Sequence, residues 1–418
     1  MDDKKTALNR LSCALTAVAA AVHQKNTTEL TTSVLCHAAA SSSGSSEHKA
    51  CGTYKRGGAL PPPQESVWGR LERNSKLGSM EFFMFLGLSR SAFDDLVDLC
   101  TPTINENPMN RDYGTPDVKQ LRRRLYGPRG IMAMTLKSLT SAAEAKDVYV
   151  QFGATATVYA TAIELGMVAI VANMGHPKLR VFWDRSEEAL ERMSRKTAAF
   201  LDIPGVIGMV DGRKMPTLYP SGWLEQNRDY NGWTKEVNRN VVLLWSPDGL
   251  IIDAAVNCPG NFHDSKSTLW TGMYDHIAAL PDGFIVVCDS AFVCTGKMKG
   301  KLVKLRDDKN GFAFTGFDES LTHLRQASEW GNGVLVNAFR RLRRPLPAEN
   351  VRRAHILWSC ILMHNYRTNT CDRNQIATYF NNIFNDNNLE YVLIHLTYIF
   401  RFKFTNSNTL NHFHFAPS

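Results

Sequence analysis

The sequence predicts an α/β protein in which a mixed sheet flanked by helices follows an all-α region. Three observations predict it. Apolar residues recur at helical spacing over most of 80–200; past Pro204 the pattern changes to short β-branched runs bounded by Gly, Pro, Asp and Asn; helical spacing then returns in SLTHLRQASEWGNGVLVNAFRRL (320–342). With 418 residues, 44% hydrophobic and 21% charged, the chain can bury a large core divided over two or three domains. A net charge of +8 suits a surface that meets polyanions and also suits many ordinary basic enzymes. The nine cysteines are scattered, with no Cys-x-x-Cys pair, which argues against a disulfide framework or a zinc finger.

Residues 1–75 read as a low-complexity lead, rich in Ser, Thr, Ala and Gly and expected to be disordered. Within it LSCALTAVAAAV (11–22) imitates the apolar part of a secretion signal, but Asp2 and Asp3 oppose a basic start. No run reaches the roughly 18–20 apolar residues of a membrane span, so a soluble intracellular protein is expected. Residues 76–200 read as a helical, helix-turn-helix-like domain. Ser91 is the expected N-cap of AFDDLVDLC, and 131–174 holds three or four helices. Gly153 stands where a helix-turn-helix turns, making Ala154 to Glu164 the candidate recognition helix, with simple helical packing as the alternative. Ser186 caps a further helix ending before Pro204, with Glu187 and Glu188 in its first turn.

Residues 201–368 form the predicted sheet domain. The strands are VIGMVD (206–211), NVVLLWSP (240–247), LIIDAAVN (250–257) and GFIVVCDS (283–290), with Pro247-Asp248-Gly249 turning the second into the third and 263–277 helical. Strand, hairpin, helix, strand, helix is the order of an RNase H-like domain. The Asn- and aromatic-rich tail, 369–418, has no clear assignment.

Three acids fall at telling places: Asp211 at the end of the first strand, Asp289 at the end of the fourth, and Glu329 on the later helix. Converging carboxylates suit hard divalent cations, and in-line attack on a phosphodiester uses two such ions about 3.5–4 Å apart. Two of these acids also have a plainer reading. Asp211 can open a turn with Gly212, Glu329 can pair with Arg325 at i,i+4, and Glu319 and Glu349 are weaker rivals for the third place. His263 and Asp264 lie either near the cleft floor, as supporting groups, or at a helix start with Asp264 as N-cap. His355 and His364 are nine apart and read as packing residues. Two basic clusters, Arg122, Arg123, Arg124 with Arg129, and Arg340, Arg341, Arg343 with Arg344, are either solvated faces or phosphate contacts. The second follows Glu329 by about three helical turns and would flank a cleft if the helix is continuous.

Taken in order, GVIGMVDG, NRNVVLLWSPDGLIIDAAVNCPGNFHDS, VVCDSAF, RQASEWGNGVLVNAFRRLRR and SCILMHN resemble the PIF/Harbinger superfamily of DDE transposases and their derived nucleases, over about 80–368. The resemblance implies Asp211, Asp289 and Glu329 as catalytic acids binding Mg2+ or Mn2+. It also implies Pro259, Gly260, His263 and Asp264 as the family's Pro-Gly-x-x-His-Asp stretch, and His364-Asn365 as its later His-Asn pair. It further implies cutting of double-stranded DNA with strand transfer, a Myb-like DNA-binding partner, a homo-oligomer on DNA and a nuclear location. Arg213, Phe292 and the Gly331-Asn332-Gly333 run depart from the family pattern. With the unassigned tail, they keep open a domesticated DNA-binding protein that does not cut. An Asp-nucleophile phosphatase would need Asp-x-Asp, which Gly212-Arg213 after Asp211 does not supply.

Overall fold

The computed structural model describes residues 60–73, 79–107, 126–198, 203–304, 316–371 and 374–386. The elements named below lie in one unit spanning 61–418. Arg122, Arg123 and Arg124, most of the predicted lead and the tail beyond 386 lie outside the described residues.

The helical part comprises α1 (Val67–Arg73), α2 (Ser79–Leu86), α3 (Arg90–Glu106), α4 (Pro128–Thr140), α5 (Ala145–Tyr149, continued by a 3-10 turn, Val150–Phe152), α6 (Ala156–Ala172) and α7 (Glu187–Lys196). Packing reaches back into the predicted lead. Trp68 of α1 is buried against Phe82, Phe93 and Phe152, so one large ring outweighs the polar composition around it. The N-cap of α3 is Ser89, not Ser91: its Oγ accepts from the Ala92 amide at 3.2 Å, two residues earlier than the apolar pattern suggested. Ser186 caps α7 as expected. Helices α5 and α6 meet at 92° across Gly153, whose φ is 66°. Much of α6 is nonetheless core, with Tyr159, Ala162, Met167 and Ile170 buried, leaving Ala156, Thr157 and Thr161 exposed. Among the described residues no single helix is long and apolar enough to cross a membrane.

The sheet is built from β1 (Val206–Pro216), β2 (Tyr230–Asn231), β3 (Glu236–Trp245), β4 (Ile251–Pro259), β5 (Ile285–Cys288) and β6 (Leu302–Lys304), with α8 (Trp223–Asp229) before β2. Antiparallel pairing joins β1 to β3 and β3 to β4, parallel pairing joins β1 to β5 and β5 to β6, and β2 adds to the start of β3. Helices α9 (Asp264–Trp270) and α10 (Met273–Ala278) cross between β4 and β5, and α11 (Gly316–Ala338), α12 (Asn350–Cys371) and α13 (Gln375–Asp386) follow the sheet. This is an RNase H-like fold. The 263–277 helix is two helices, broken at Gly272, and part of the unassigned tail is α13, capped by Asn374 and anchored by buried Ile376 and Phe380. Asp211 does not end its strand. Residues 212–216 keep pairing with β3, from Gly212 opposite Val242 to Pro216 opposite Asn238, because β3 begins earlier than its β-branched run.

Helix α11 runs unbroken through Gly331-Asn332-Gly333, so Glu329 is mid-helix and not near an end. The first glycine is required by contact: a Cβ on Gly331 would stand 2.7 Å from the indole of Trp245 on β3. Trp245 is fully buried and meets the His364 ring edge-on, with centroids 5.1 Å apart. His364 and the adjacent Asn365 tie α12 to the hairpin. His364 Nε2 bonds the Gly249 carbonyl at 3.0 Å, while Asn365 accepts from the Ile251 amide and donates to the Ile251 carbonyl. Burial pushes the His364 pKa down to about 4, so the ring stays neutral and serves packing, as expected.

Gly331 and Gly333 of α11 should respond with opposite signs. Gly331→Ala, forced onto Trp245, should cost about 1–3 kcal/mol. Gly333→Ala, where a Cβ meets nothing within 4 Å, should gain up to about 1 kcal/mol. Urea denaturation of both variants checks this.

Candidate active site

Asp211 and Asp289 are brought together by the parallel pairing of β1 with β5. Val210 stands opposite Cys288, so the next residue on each strand is an aspartate. Alternation along β1 puts Asp211 and Arg213 on the face of Met209 and Met215, which pack in the same core as α11. Asp289 follows the last residue of β5, and its Oδ1 accepts from the Ala291 amide, which fixes the carboxylate at the strand exit. Asp211 accepts from the Gly212 amide at 2.8 Å and from Asn332 Nδ2 of α11 at 2.9 Å. Burial raises the Asp211 pKa to about 6, and the negative charges of Asp289 and Asp264 add to the rise against those two hydrogen bonds.

Asp264 reaches this group from the other side of β1. Its carboxylate lies where a Gly212 side chain would be, 2.2–2.4 Å from an added Cβ, so only glycine admits it. It accepts from Asn240 Nδ2 at 2.7 Å, and Asn240 also donates to Ser267 at 2.9 Å. The N-cap of α9 is His263, not Asp264, and no side chain bonds there: Asp264 is turned onto Asn240 instead, and His263 is exposed. Lys214 fastens the preceding loop through the carbonyls of Phe262 and Gly260, at 2.6 and 3.3 Å.

Glu329 stands apart from the two aspartates. Its half-exposed carboxylate pairs with Arg325 one turn back. The α11 side chain that reaches Asp211 is Asn332, buried, with its amide oxygen left without a hydrogen-bond partner. Among the described residues no three His, Cys, Asp or Glu side chains converge closely enough to hold a metal ion. Asp211, Asp289 and the Asn332 oxygen are nonetheless all hard oxygen donors, and an orphaned buried oxygen beside a carboxylate held near pKa 6 fits a cation. Sequence reasoning missed Asn332, although it is a polar residue on the buried stripe that includes Leu324, Ser328 and Leu335.

The second basic cluster does not continue α11. Phe339 ends the helix and Arg340–Arg343 form a 3-10 turn. Arg344 donates to the Ala143 carbonyl and Arg341 to those of Arg344 and Pro345, leaving Arg340 and Arg343 exposed. Leu346 then bonds back to Pro216 and Leu218, which keeps the turn near the far end of β1.

Residues 210–365 match the DDE superfamily endonuclease family, from the residue before Asp211 to Asn365. No curated protein and no solved structure matches the chain. The match supports a nuclease of DDE transposase type.

The raised pKa of Asp211 fixes a sign. The folded carboxylate holds its proton up to about pH 6 and the unfolded one only to 3.8, so stability present below pH 4 is lost as pH rises through 6. Asp211→Asn should therefore gain up to about 3 kcal/mol on wild type between pH 4 and 7. Added Mn2+ should raise the wild-type melting temperature more at pH 7 than at pH 5. Thermal melts across that range check both.

Proposed function

We propose that this chain is a Harbinger-type, metal-dependent nuclease that cuts double-stranded DNA and joins the freed 3′ end to target DNA. The observation that carries it is the pair Asp211 and Asp289, side by side on parallel strands and under electrostatic strain. Asp211, Asp289 and the Asn332 oxygen would hold Mg2+ or Mn2+, with Glu329 joining once released from Arg325. The metal would supply the positive charge that polarises a phosphodiester and lowers the pKa of water. Asn332 orients Asp211, Gly212 admits Asp264, and Lys214 holds the loop carrying His263. Exposed Arg340 and Arg343 offer phosphate contacts. A Myb-like partner, a homo-oligomer on DNA and a nuclear location belong to the same proposal and rest on the family resemblance.

Full-length protein with Mn2+ should nick a duplex carrying transposon-type terminal repeats. Asp211→Asn and Asp289→Asn should each abolish cutting, and Asn332→Ala should slow it about 10- to 100-fold, the range for a residue that orients a ligand. Equal cutting by either aspartate variant would sink the proposal.

A second function is favoured by one observation, the Glu329–Arg325 pair that leaves an amide where a third acid would face Asp211. In that case the chain is a domesticated DNA-binding protein. Its binding survives EDTA and both aspartate substitutions, and wild type never cuts.

A further inference from the structure

At the edge of the sheet, over β4, lies a cavity of about 470 Å³ that no step above uses. Its size is that of a small-ligand pocket. Arg228 and Arg239 line it together with Phe262, Trp270 and Trp358. Arg239 is 5% exposed along its side chain, and among the described residues its only carboxylate partner is Asp229, at 2.8 Å. Its Nε is buried without any hydrogen-bond partner. Fully buried Arg353 lies within electrostatic reach of Arg239 and has only neutral acceptors: the side chains of Asn257 and Asn350 and the carbonyls of Pro347 and Ala348. Buried Asp229 thus pairs with both Arg239 and, at 3.5 Å, the exposed Arg228, and is also the buried carboxylate within electrostatic reach of Arg353, with Glu225 and Glu349 exposed nearby. Burying a guanidinium without full compensation is costly, and an anion in the cavity would offset it. The aromatic lining adds a second requirement. Phe262 and Trp270 pack edge-on with centroids 6.0 Å apart, and Trp270 is 62% exposed, leaving ring surface for a flat partner.

We propose that this cavity binds one nucleotide of a DNA strand, its phosphate on Arg228 and Arg239 and its base against Trp270. Guanidinium forks match phosphate oxygens, and indole faces accept any base. Arg239 lies four residues along β3 from Leu243, the register partner of Asp211. That is about 13 Å along the strand, so a single DNA strand could touch both places. The assignment rests on the DNA-cutting function proposed above, and its test separates the two.

A fluorescein-labelled single strand is titrated with full-length protein in EDTA and followed by anisotropy, while cutting of the same sequence as a duplex is assayed with Mn2+. Arg228→Ala and Trp270→Ala alter exposed side chains, and melting temperatures confirm that each variant folds. Each should weaken strand binding about tenfold. Unchanged affinity in both variants overturns the cavity site even if wild type cuts DNA. Weakened binding with no cutting by wild type keeps the site and rejects the nuclease. Binding of deoxyadenosine monophosphate without any of the strand overturns it in favour of a free-nucleotide pocket.

Discussion

The seating of α11 on the sheet through Trp245 and Gly331 decides where every other group of the site can stand. The indole fills the space that a side chain at 331 would need, so the helix can approach only at that point and only in that rotation. The other side of the same indole rests on His364, which holds the Gly249 turn while Asn365 holds the start of β4. One buried ring therefore fixes α11, α12 and the β3–β4 hairpin together. A 23-residue helix placed this way brings Asn332 onto Asp211, 121 residues earlier in the chain.

The electrostatics follow from that placement. Parallel pairing puts Asp211 and Asp289 on neighbouring strands, and burial strips from Asp211 the water that would otherwise screen its charge. Asn332 and the Gly212 amide return only part of the lost solvation. A carboxylate near pKa 6 is the residue of that imbalance, and a cation or a proton relieves it.

Strand order, the hairpin and the two aspartates were legible because each rests on local pattern: an apolar run, a Pro-Asp-Gly turn, an acid beside the run. Other features were not local. The extension of β1 past Asp211 depends on how early β3 starts, and β3 begins in Glu236-Val237-Asn238, which no β-branched run announces. The break at Phe339 turned an expected continuous basic helix into a 3-10 turn, where Arg341 and the following Arg344 bind carbonyls and Arg340 and Arg343 stay exposed. Gly331 reads in sequence as a helix defect costing about 1 kcal/mol, and only the indole facing it shows why it is there.

Helical phase explains the separation of Glu329 from the aspartates. Buried positions Leu321, Leu324, Ala327, Ser328, Gly331, Asn332, Leu335 and Val336 define the buried arc of α11. Glu329 follows Ser328 by about 100° of rotation, which puts it just past the Val336 edge of that arc, where it is exposed. Turning the helix to bring it in would drive the backbone at 331 away from Trp245 and lift Asn332 off Asp211. The cheaper route keeps the helix fixed and swings the Glu329 side chain, since its bond to Arg325 is a half-exposed i,i+4 pair that contributes only about 0.3–0.5 kcal/mol. A cation held by Asp211 and Asp289, as proposed, would offer more than that. In the proposed metal site the rigid part is thus the two aspartates and Asn332, and Glu329 is the part free to move.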